Sequence, residues 1–316
     1  MTGGDALRHS IDLAIVAERL GFARYWVAEH HGTTMLAGTS PEILIGAIAA
    51  ATSKLRVGSG GVMLPHYSPL KVAETFSLLS ALYPGRIDLA VGRAAGTDPL
   101  TAYALQRDRR QAAPDDFPEQ LAELLAYVRD ELPAGHRFSR LAALPGRPES
   151  PDPWLLGSSP QSGIWAAELG LPYAFADFIF PGGAATAKRY RESFVPSRTL
   201  ASPRVMVATW TLCADTDEEA HRLAASSRMA FAHFLAGDPI RVPPVETALA
   251  FLDAHADTVD ALARRRRTIL GTPAVVRAGI ESLAEEYGAD EVMVVTITYD
   301  HAARCRSYEL LARQFQ

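Results

Sequence analysis

The hydrophobic positions of this 316-residue chain follow two spacings in turn, one helical and one strand-like. Apolar side chains recur at helical spacing from Asp5 to about Leu20, and Gly21 ends that segment. An apolar run at residues 25–28 follows, and its length is typical of a buried strand. The polar triplet Glu29-His30-His31 closes the run before a Gly-Thr-Thr turn. The pattern predicts a helix, then a strand, then titratable groups where the strand reaches the surface.

The same alternation continues along the chain. Ser-Pro pairs at residues 40–41, 68–69 and 159–160 predict helix starts, because Ser is a common N-cap and Pro suits the first helical position. Between the helices, seven apolar runs predict strands near residues 25–28, 55–58, 87–91, 154–157, 173–176, 204–214 and 291–298. Strands that alternate with helices predict an α/β fold with a parallel sheet.

A TIM-like (β/α)8 barrel accounts best for this order, and a doubly wound open sheet is the alternative. No linker rich in Pro, Gly or Ser marks a boundary, so we expect one domain over residues 1–316. Polar excursions interrupt the pattern near residues 98–116 and 133–153, and a possible mobile loop lies near residues 237–268.

Composition narrows the class of protein. The chain is 48% hydrophobic and 21% charged, so it can bury a large core, and its net charge of −5 disfavours nucleic acid or an anionic membrane as a partner. Cys213 and Cys305 lie far apart and have no metal-ligand spacing, which is consistent with a reducing cytoplasm. There is no signal-peptide pattern and no apolar stretch near the ~20 residues that span a bilayer. We expect a cytoplasmic, globular enzyme.

The glycine-rich run at residues 58–61 has three possible interpretations. A dinucleotide-binding fingerprint would open a helix directly, but here the next helix starts only near Ser68. A tight strand exit is the plain structural alternative. Close approach of a flat ligand to the backbone fits better, because glycine removes the side chain at that point.

In a barrel, the active site forms where the carboxyl ends of the strands meet. Glu29-His30-His31, Gly60-Gly61, Arg93 and the segment 157–159 each follow a predicted strand. Ser158, Ser159 and Ser162 surround a helix N-terminus, which suits a phosphate. As alternatives, Ser159 serves only as an N-cap, and Arg93 serves as a structural ion-pair residue.

Four motifs, in this order, resemble the bacterial luciferase-like flavin-dependent monooxygenases, and most closely their single-chain subgroup outside bioluminescence. They are YWVAEHH at residues 25–31, VGSGGVMLP at 57–65, PGRIDLAVGR at 84–93 and LLGSS at 155–159. The resemblance extends from Asp5 to the end of the chain. It implies a TIM-like barrel that binds FMN noncovalently, with reduced FMN supplied by a separate NAD(P)H-dependent flavin reductase.

The resemblance also implies roles for individual residues. His30 matches the active-site histidine beside the flavin, a candidate acid or base. Glu29 either orients active-site groups or forms a structural ion pair. The Gly60-Gly61 bond matches a place where the family often has a cis peptide beneath the flavin ring. Arg93 and residues Gly157, Ser158, Ser159 and Ser162 match phosphate-side positions. No metal ligand set is expected, because strand alternation separates His30 from His31.

The implied chemistry is oxygenation of a small organic substrate by a C4a-hydroperoxide that forms from reduced flavin and O2. A deazaflavin-dependent hydride transfer and a flavin-binding protein without turnover are the alternatives. The substrate itself is not predicted, and a homodimer is expected by resemblance, through the helices that start at Ser40 and Ser68.

The chain departs from the family pattern in two places. The family begins with a strand ahead of the first helix, whereas this chain begins at the helix, so we expect the natural protein to carry about 15–25 further residues at its start. Four arginines at residues 264–267 lie near the family's mobile loop. They indicate a solvated charged face or, alternatively, an anion-attracting lid.

Overall fold

A computed structural model describes residues 2–112, 115–141, 143, 145, 149–255 and 266–315. This part of the chain alternates helices with eight parallel strands and divides into two compact units. The first unit runs through Glu18 and includes Phe22–Thr33 and Ala37–Leu156; the second comprises Arg19–Gly21, Thr34–Leu36 and Gly157–Gln316. The prediction of one domain over the whole chain stays a prediction.

The first unit holds four parallel strands in the order of the sequence, flanked by five helices. The strands pair in register, with Val27 opposite Ser59, Ser59 opposite Leu89 and Leu89 opposite Pro153. Because the strands are parallel, their carboxyl ends meet at one edge of this sheet. The elements are α1 Gly3–Arg19, β1 Arg24–Val27, α2 Pro41–Ala51, β2 Arg56–Met63, α3 Pro69–Leu82, β3 Ile87–Gly92, α4 Pro99–Leu105, α5 Phe117–Arg129 and β4 Asp152–Gly157.

A buried carboxylate joins three of these strands near their amino ends. Asp88 on β3 is fully buried, and its Oδ2 accepts hydrogen bonds from Arg24 Nη1 at 2.6 Å and Trp26 Nε1 at 2.8 Å. Its Oδ1 accepts from Arg56 Nε at 3.0 Å, and the Arg24 guanidinium lies over the Trp154 ring. A buried charge is tolerated only when it is paired in this way. Asp88 therefore determines how the first strands align.

The second unit is organised around its longest strand, β6. This strand pairs in parallel with β5, β7 and β8, for example through Ala208, which lies opposite both Ala176 and Met293. Its core contains the fully buried aromatic side chains Tyr173, Phe175 and Tyr190. The elements are α6 Pro160–Glu168, β5 Tyr173–Ala176, α7 Ala184–Glu192, β6 Val205–Cys213, α8 Asp217–Leu235, α9 Val245–Ala254, β7 Thr268–Gly271, α10 Pro273–Tyr287, β8 Glu291–Val295 and α11 His301–Ala312.

All seven predicted strands are present, but the prediction missed β7 and shortened β2. Strand β7 has only four residues and follows a run of arginines, so it has no apolar pattern of its own. Strand β2 continues through the glycines to Met63, so the interpretation of the glycine run as a strand exit is wrong. Gly58 pairs with both β1 and β3, and Gly60 pairs with Ala90 on β3, so pairing keeps these two glycines in the strand although glycine has little intrinsic strand preference.

Two segments that were predicted as irregular contain helices. Helix α4 lies within the excursion at 98–116, where Asp98 caps it by accepting from the backbone N–H groups of Leu100 and Thr101. Helix α9 lies within the loop predicted at 237–268 and packs its buried side chains, among them Ala248, against α8. Arg264 and Arg265 lie outside the described residues. No helix among the described residues is long and apolar enough to cross a membrane.

Replacing Asp88 with alanine should destabilise the first unit strongly. The change removes a fully buried carboxylate that pairs with the Arg24 guanidinium, whose side chain is 7% exposed. We expect a loss of about 3–5 kcal/mol in the free energy of unfolding, measured by urea denaturation. Asp215→Ala is the matched control, since it removes a carboxylate from an exposed pair with Arg306 and should change stability far less. Equal losses in the two variants would contradict this account of the strand alignment.

Candidate active site

A second buried carboxylate lies at the opposite ends of the same strands. Glu29 follows β1 and is fully buried. Its Oε2 accepts a hydrogen bond from the backbone N–H of Met63 at 3.0 Å, and its Oε1 accepts from Tyr67 Oη at 2.9 Å. The same Oε1 lies 2.7 Å from His31 Nε2. Glu29 thus connects the exit of β1 with the end of β2 and the chain that follows β2.

The contacts of Glu29 are of two kinds, and its role in an active site stays a prediction. Its contact with His31 is a buried ion pair whenever that imidazole is protonated, and its contacts with Met63 and Tyr67 orient the neighbouring backbone. Burial, together with the negative charge of Glu29, raises the pKa of Tyr67 above its ordinary value. The Tyr67 phenol stays a hydrogen-bond donor at neutral pH.

Three histidines contact the loop after β3, two through their side chains and one through its backbone carbonyl. His30 Nδ1 lies 3.0 Å from the carbonyl oxygen of Gly96, and His66 Nε2 lies 2.8 Å from that of Ala95. Thr97 Oγ1 donates to the carbonyl oxygen of His31 at 2.7 Å. Gly96 adopts a φ of 61°, a conformation that glycine reaches without steric cost. These contacts bring the end of β1, the end of β2 and the loop after β3 together.

The two ring nitrogens of His30 have different surroundings. A carbonyl oxygen only accepts, so the contact with Gly96 assigns the proton to Nδ1. The other nitrogen, Nε2, has no hydrogen-bond partner among the described residues. His31 differs, because its Nε2 faces the Glu29 carboxylate. The half-buried His30 imidazole can therefore accept or deliver a proton at Nε2.

The Gly60-Gly61 peptide bond is cis, as the resemblance implied for this position. It lies within β2, and the pairing with β3 shifts register between Gly60 and Val62. A Cβ on Gly61 would lie 2.8 Å from the carbonyl oxygen of Ala90, and one on Gly60 would lie 3.1 Å from Cβ of Trp26. The packing of the first unit is therefore enough, without any ligand, to require glycine at position 61.

Arg93 is exposed and directly follows Gly92, the last residue of β3. The first unit therefore brings Glu29, His30, the Gly60-Gly61 segment and Arg93 to the edge of its sheet where the carboxyl ends of the strands meet.

Sequence reasoning missed three participants, namely Tyr67, His66 and Gly96. Of these, Gly96 carried a signal, since a glycine soon after a strand end often marks a turn.

The predicted phosphate-side serines lie at the start of α6 in the second unit. Ser159 caps this helix, because its Oγ accepts from the backbone N–H of Ser162 at 3.3 Å. The Ser162 hydroxyl is buried, donates to the carbonyl oxygen of Ser159 at 2.7 Å, and lies 2.9 Å from Tyr173 Oη. Its side chain fills the space that a side chain at Gly157 would need. The N-cap role of Ser159 is present, and the phosphate role of Ser158, Ser159 and Ser162 stays a prediction.

Replacing Tyr67 with phenylalanine should lower stability in a pH-dependent way. The phenol donates to a buried carboxylate, so its loss should cost about 1.5–3 kcal/mol of unfolding free energy. A folded-state pKa above the unfolded value of 10.0 means that this contribution is complete below pH 10 and is lost as the pH rises through the folded pKa. Urea denaturation at several pH values should show a constant difference from wild type up to about pH 9 and a smaller one above pH 10.

Tyr103→Phe is the control for this experiment, because Tyr103 is exposed and its hydroxyl donates only to a backbone carbonyl. It should have little effect at any pH. A Tyr67→Phe difference that grows at alkaline pH would contradict the described contact with Glu29.

Comparison with known proteins agrees with these observations. The profile of the luciferase-like monooxygenase family matches residues 1–291. The uncharacterized protein YwcH of Bacillus subtilis (strain 168) is 44% identical over 98% of this chain and 93% of its own length. The N-acetyl-S-alkylcysteine monooxygenase of the same organism is 38% identical, again over 98% of this chain and 93% of its own length.

Solved structures agree on the fold. The apo form of MsnO8 has a TM-score of 0.90 and 42% identity, over 100% of this chain and 93% of its own. A second structure, solved with FMN, is the oxygenating constituent of 3,6-diketocamphane monooxygenase from Pseudomonas putida. It has a TM-score of 0.69 over 97% of this chain and 91% of its own. Its sequence identity is 22%, so it supports the fold alone. The predicted fold class, α/β of the TIM-like barrel type, is confirmed. The chain belongs to the luciferase-like monooxygenase family, which is a family of enzymes.

Proposed function

We propose that this protein is an FMN-dependent monooxygenase that uses reduced FMN and O2 to oxidise a small organic substrate. The observation that carries the proposal is the His30 imidazole, which has Nδ1 held by Gly96 and Nε2 without a partner among the described residues. It lies at the carboxyl end of β1, and β2, the strand beside it, carries the bare Gly60-Gly61 backbone. Membership of a monooxygenase family supports the same reading.

The residues of the first unit fit a flavin. Gly60 and Gly61 present no side chain that would separate a flat ring from the backbone, and neighbouring packing excludes a larger residue at Gly61. Arg93 supplies an exposed cation at the same sheet edge. An imidazole, a bare extended backbone and a cation together suit a ring with a phosphate-bearing chain.

When bound, reduced FMN supplies the electrons with which O2 is activated. The part of this chain in the reaction is to move protons and to hold groups in position. His30 Nε2 accepts or delivers a proton, while Gly96 keeps the ring orientation and the tautomer. Glu29 acts indirectly, as a positioning residue, because it holds His31 and the backbone of Met63 in place.

The remaining assignments follow from the resemblance and are part of the same proposal. Arg93 binds the FMN phosphate, and Gly157, Ser158, Ser159 and Ser162 are a second, independently testable phosphate-side group. A separate flavin reductase supplies reduced FMN, the protein works in the cytoplasm, and two copies form a homodimer. Nucleic acid and membranes are not expected as partners.

The test is spectroscopic titration of the purified protein with FMN and with photoreduced FMN under air. Tight FMN uptake and O2 consumption with reduced FMN are expected. Anaerobic hydride transfer to a deazaflavin without O2 consumption would replace the proposal with the alternative enzyme class. Flavin binding without any oxidation would indicate a binding protein.

Replacing His30 with alanine should separate flavin binding from turnover. Loss of the imidazole removes the proton carrier at Nε2, so the rate of substrate or coupled O2 turnover should fall roughly 10²–10⁴-fold. The affinity for FMN, measured by fluorescence quenching, should stay within about threefold, a free-energy change of about 0.65 kcal/mol at most. His221→Ala, at an exposed position on α8, is the control and should change neither quantity. Unaltered turnover in His30→Ala would remove His30 from the mechanism.

Replacing Arg93 with alanine should weaken FMN binding through the phosphate alone. The Kd for FMN should rise roughly 10–100-fold, the amount expected for one charge-assisted contact, and the Kd for riboflavin, which has no phosphate, should not change. Arg110→Ala is the control, because that exposed arginine pairs with Asp108. Equal weakening of FMN and riboflavin would show that Arg93 acts on the fold or on the ring rather than on the phosphate.

A further inference from the structure

The second unit contains an arginine held between two aromatic rings. The Arg266 guanidinium carbon lies 4.2 Å from the centroid of the Trp210 ring and 2.9 Å from that of Phe231. Trp210 is on β6 and Phe231 is on α8, so two elements of the unit hold this side chain. Cation–π contacts of this kind fix the position of a guanidinium and leave its N–H groups unused.

Arg267, the next residue, has carboxylate partners that Arg266 lacks among the described residues. Arg267 donates to Glu286 with Nη1 at 2.6 Å and Nη2 at 3.1 Å, and its Nε lies 3.7 Å from the buried carboxylate of Asp177. Arg266 has no carboxylate partner in the part of the chain that the structure describes, and its buried Nη1 has no hydrogen-bond partner there. Burial lowers the pKa of Arg266 to about 9. The side chain is still a cation at neutral pH.

Further aromatic rings extend the surface around Arg266. Phe178 stacks on Trp210 with ring centroids 6.5 Å apart and planes at 8°, and Phe231 stacks on Phe234 at 6.2 Å. Phe234 is 49% exposed, so this row of four rings reaches the solvent. A flat or apolar group can lie against it with little cost in conformational entropy.

Arg266 is half-buried, and its buried Nη1 is a donor without a hydrogen-bond partner among the described residues. A buried donor that lacks a partner is costly for a protein, and an anion that reaches the guanidinium removes that cost. We propose that Arg266, with Phe178, Trp210, Phe231 and Phe234, forms a binding site for a small carboxylate or sulfonate that carries an aromatic or apolar body. The anionic group pairs with Arg266, and the body lies on the rings. The site consists of residues of the second unit only and does not depend on the proposed flavin chemistry.

The test is isothermal titration calorimetry of the full chain, free of FMN, with two probes of the same shape. The anionic probe is 3-phenylpropionate, and the neutral probe is 3-phenylpropionamide. The site predicts binding of the anion at least about tenfold more tightly than the amide, the smallest preference expected of one charge-assisted contact. Equal affinities, or no binding of the anion at millimolar concentration, would overturn the proposal.

Arg266→Met should abolish the preference for the anion and raise its Kd about tenfold or more. Arg277→Gln is the matched control, because Arg277 also lies over an aromatic ring, that of Phe315, but is exposed and paired with Glu281. It should leave the Kd within about twofold. If Arg266→Met does not fold, the comparison of the two probes on wild type decides the question alone.

The melting temperature gives a second readout. Arg266→Met replaces a half-buried charge with an apolar side chain and removes the unsatisfied Nη1, so the melting temperature should stay the same or rise. A lower melting temperature together with unchanged probe binding would assign Arg266 a purely structural role and overturn the proposal.

FMN is itself an anion with a flat body, so the titration is repeated in the presence of saturating FMN. An unchanged Kd for 3-phenylpropionate supports a separate site, whereas displacement by FMN would overturn it. If the protein does not bind FMN at all, the proposed function fails, but the first titration still tests this site. The two proposals can therefore fail independently.

Discussion

A buried carboxylate must be surrounded by hydrogen-bond donors, because no water is available to solvate it, and Glu29 imposes this constraint on the first unit. Its donors come from the end of β2 and from the chain beyond it, through Met63 and Tyr67, and His31 completes the set. Satisfying Glu29 thus determines where the chain can run after β1 and β2. Asp88 imposes the same kind of constraint at the amino ends of these strands, so both ends of the sheet are fixed by charge.

The asymmetry of His30 follows from this arrangement. His31 is engaged by Glu29, and the adjacent His30 imidazole lies toward the loop after β3, where its Nδ1–H donates to the carbonyl oxygen of Gly96. Two consecutive histidines thereby acquire different surroundings. His31 pairs with a carboxylate, whereas Nε2 of His30 has no partner among the described residues. A proton carrier needs a fixed ring and a lone pair that is not already used, and only His30 combines both in this segment.

Much of the fold was predictable, since helices and strands that bury one face carry a periodic pattern of apolar residues. The seven strands with such a pattern were found, and the cis bond at Gly60-Gly61 was expected from the resemblance. Strand β7 and helix α9 were missed, because β7 owes its pairing to β6 and α9 lies in a stretch whose pattern is mixed with charges. Of the candidate site, the positions of Glu29, His30 and Arg93 at strand ends were anticipated, whereas Tyr67 and Gly96 were not.

The sequence by itself determined the order of the elements, the family and the residue types at the strand ends, because these depend on spacing along the chain. Tertiary structure decided which partner each polar group obtains. Arg266 and Arg267 are neighbours of the same type, yet one meets Glu286 and Asp177 while the other meets Trp210 and Phe231. The physical reason is that a side chain's charge state and reactivity depend on groups within a few ångströms, and those groups come from segments far apart in the sequence.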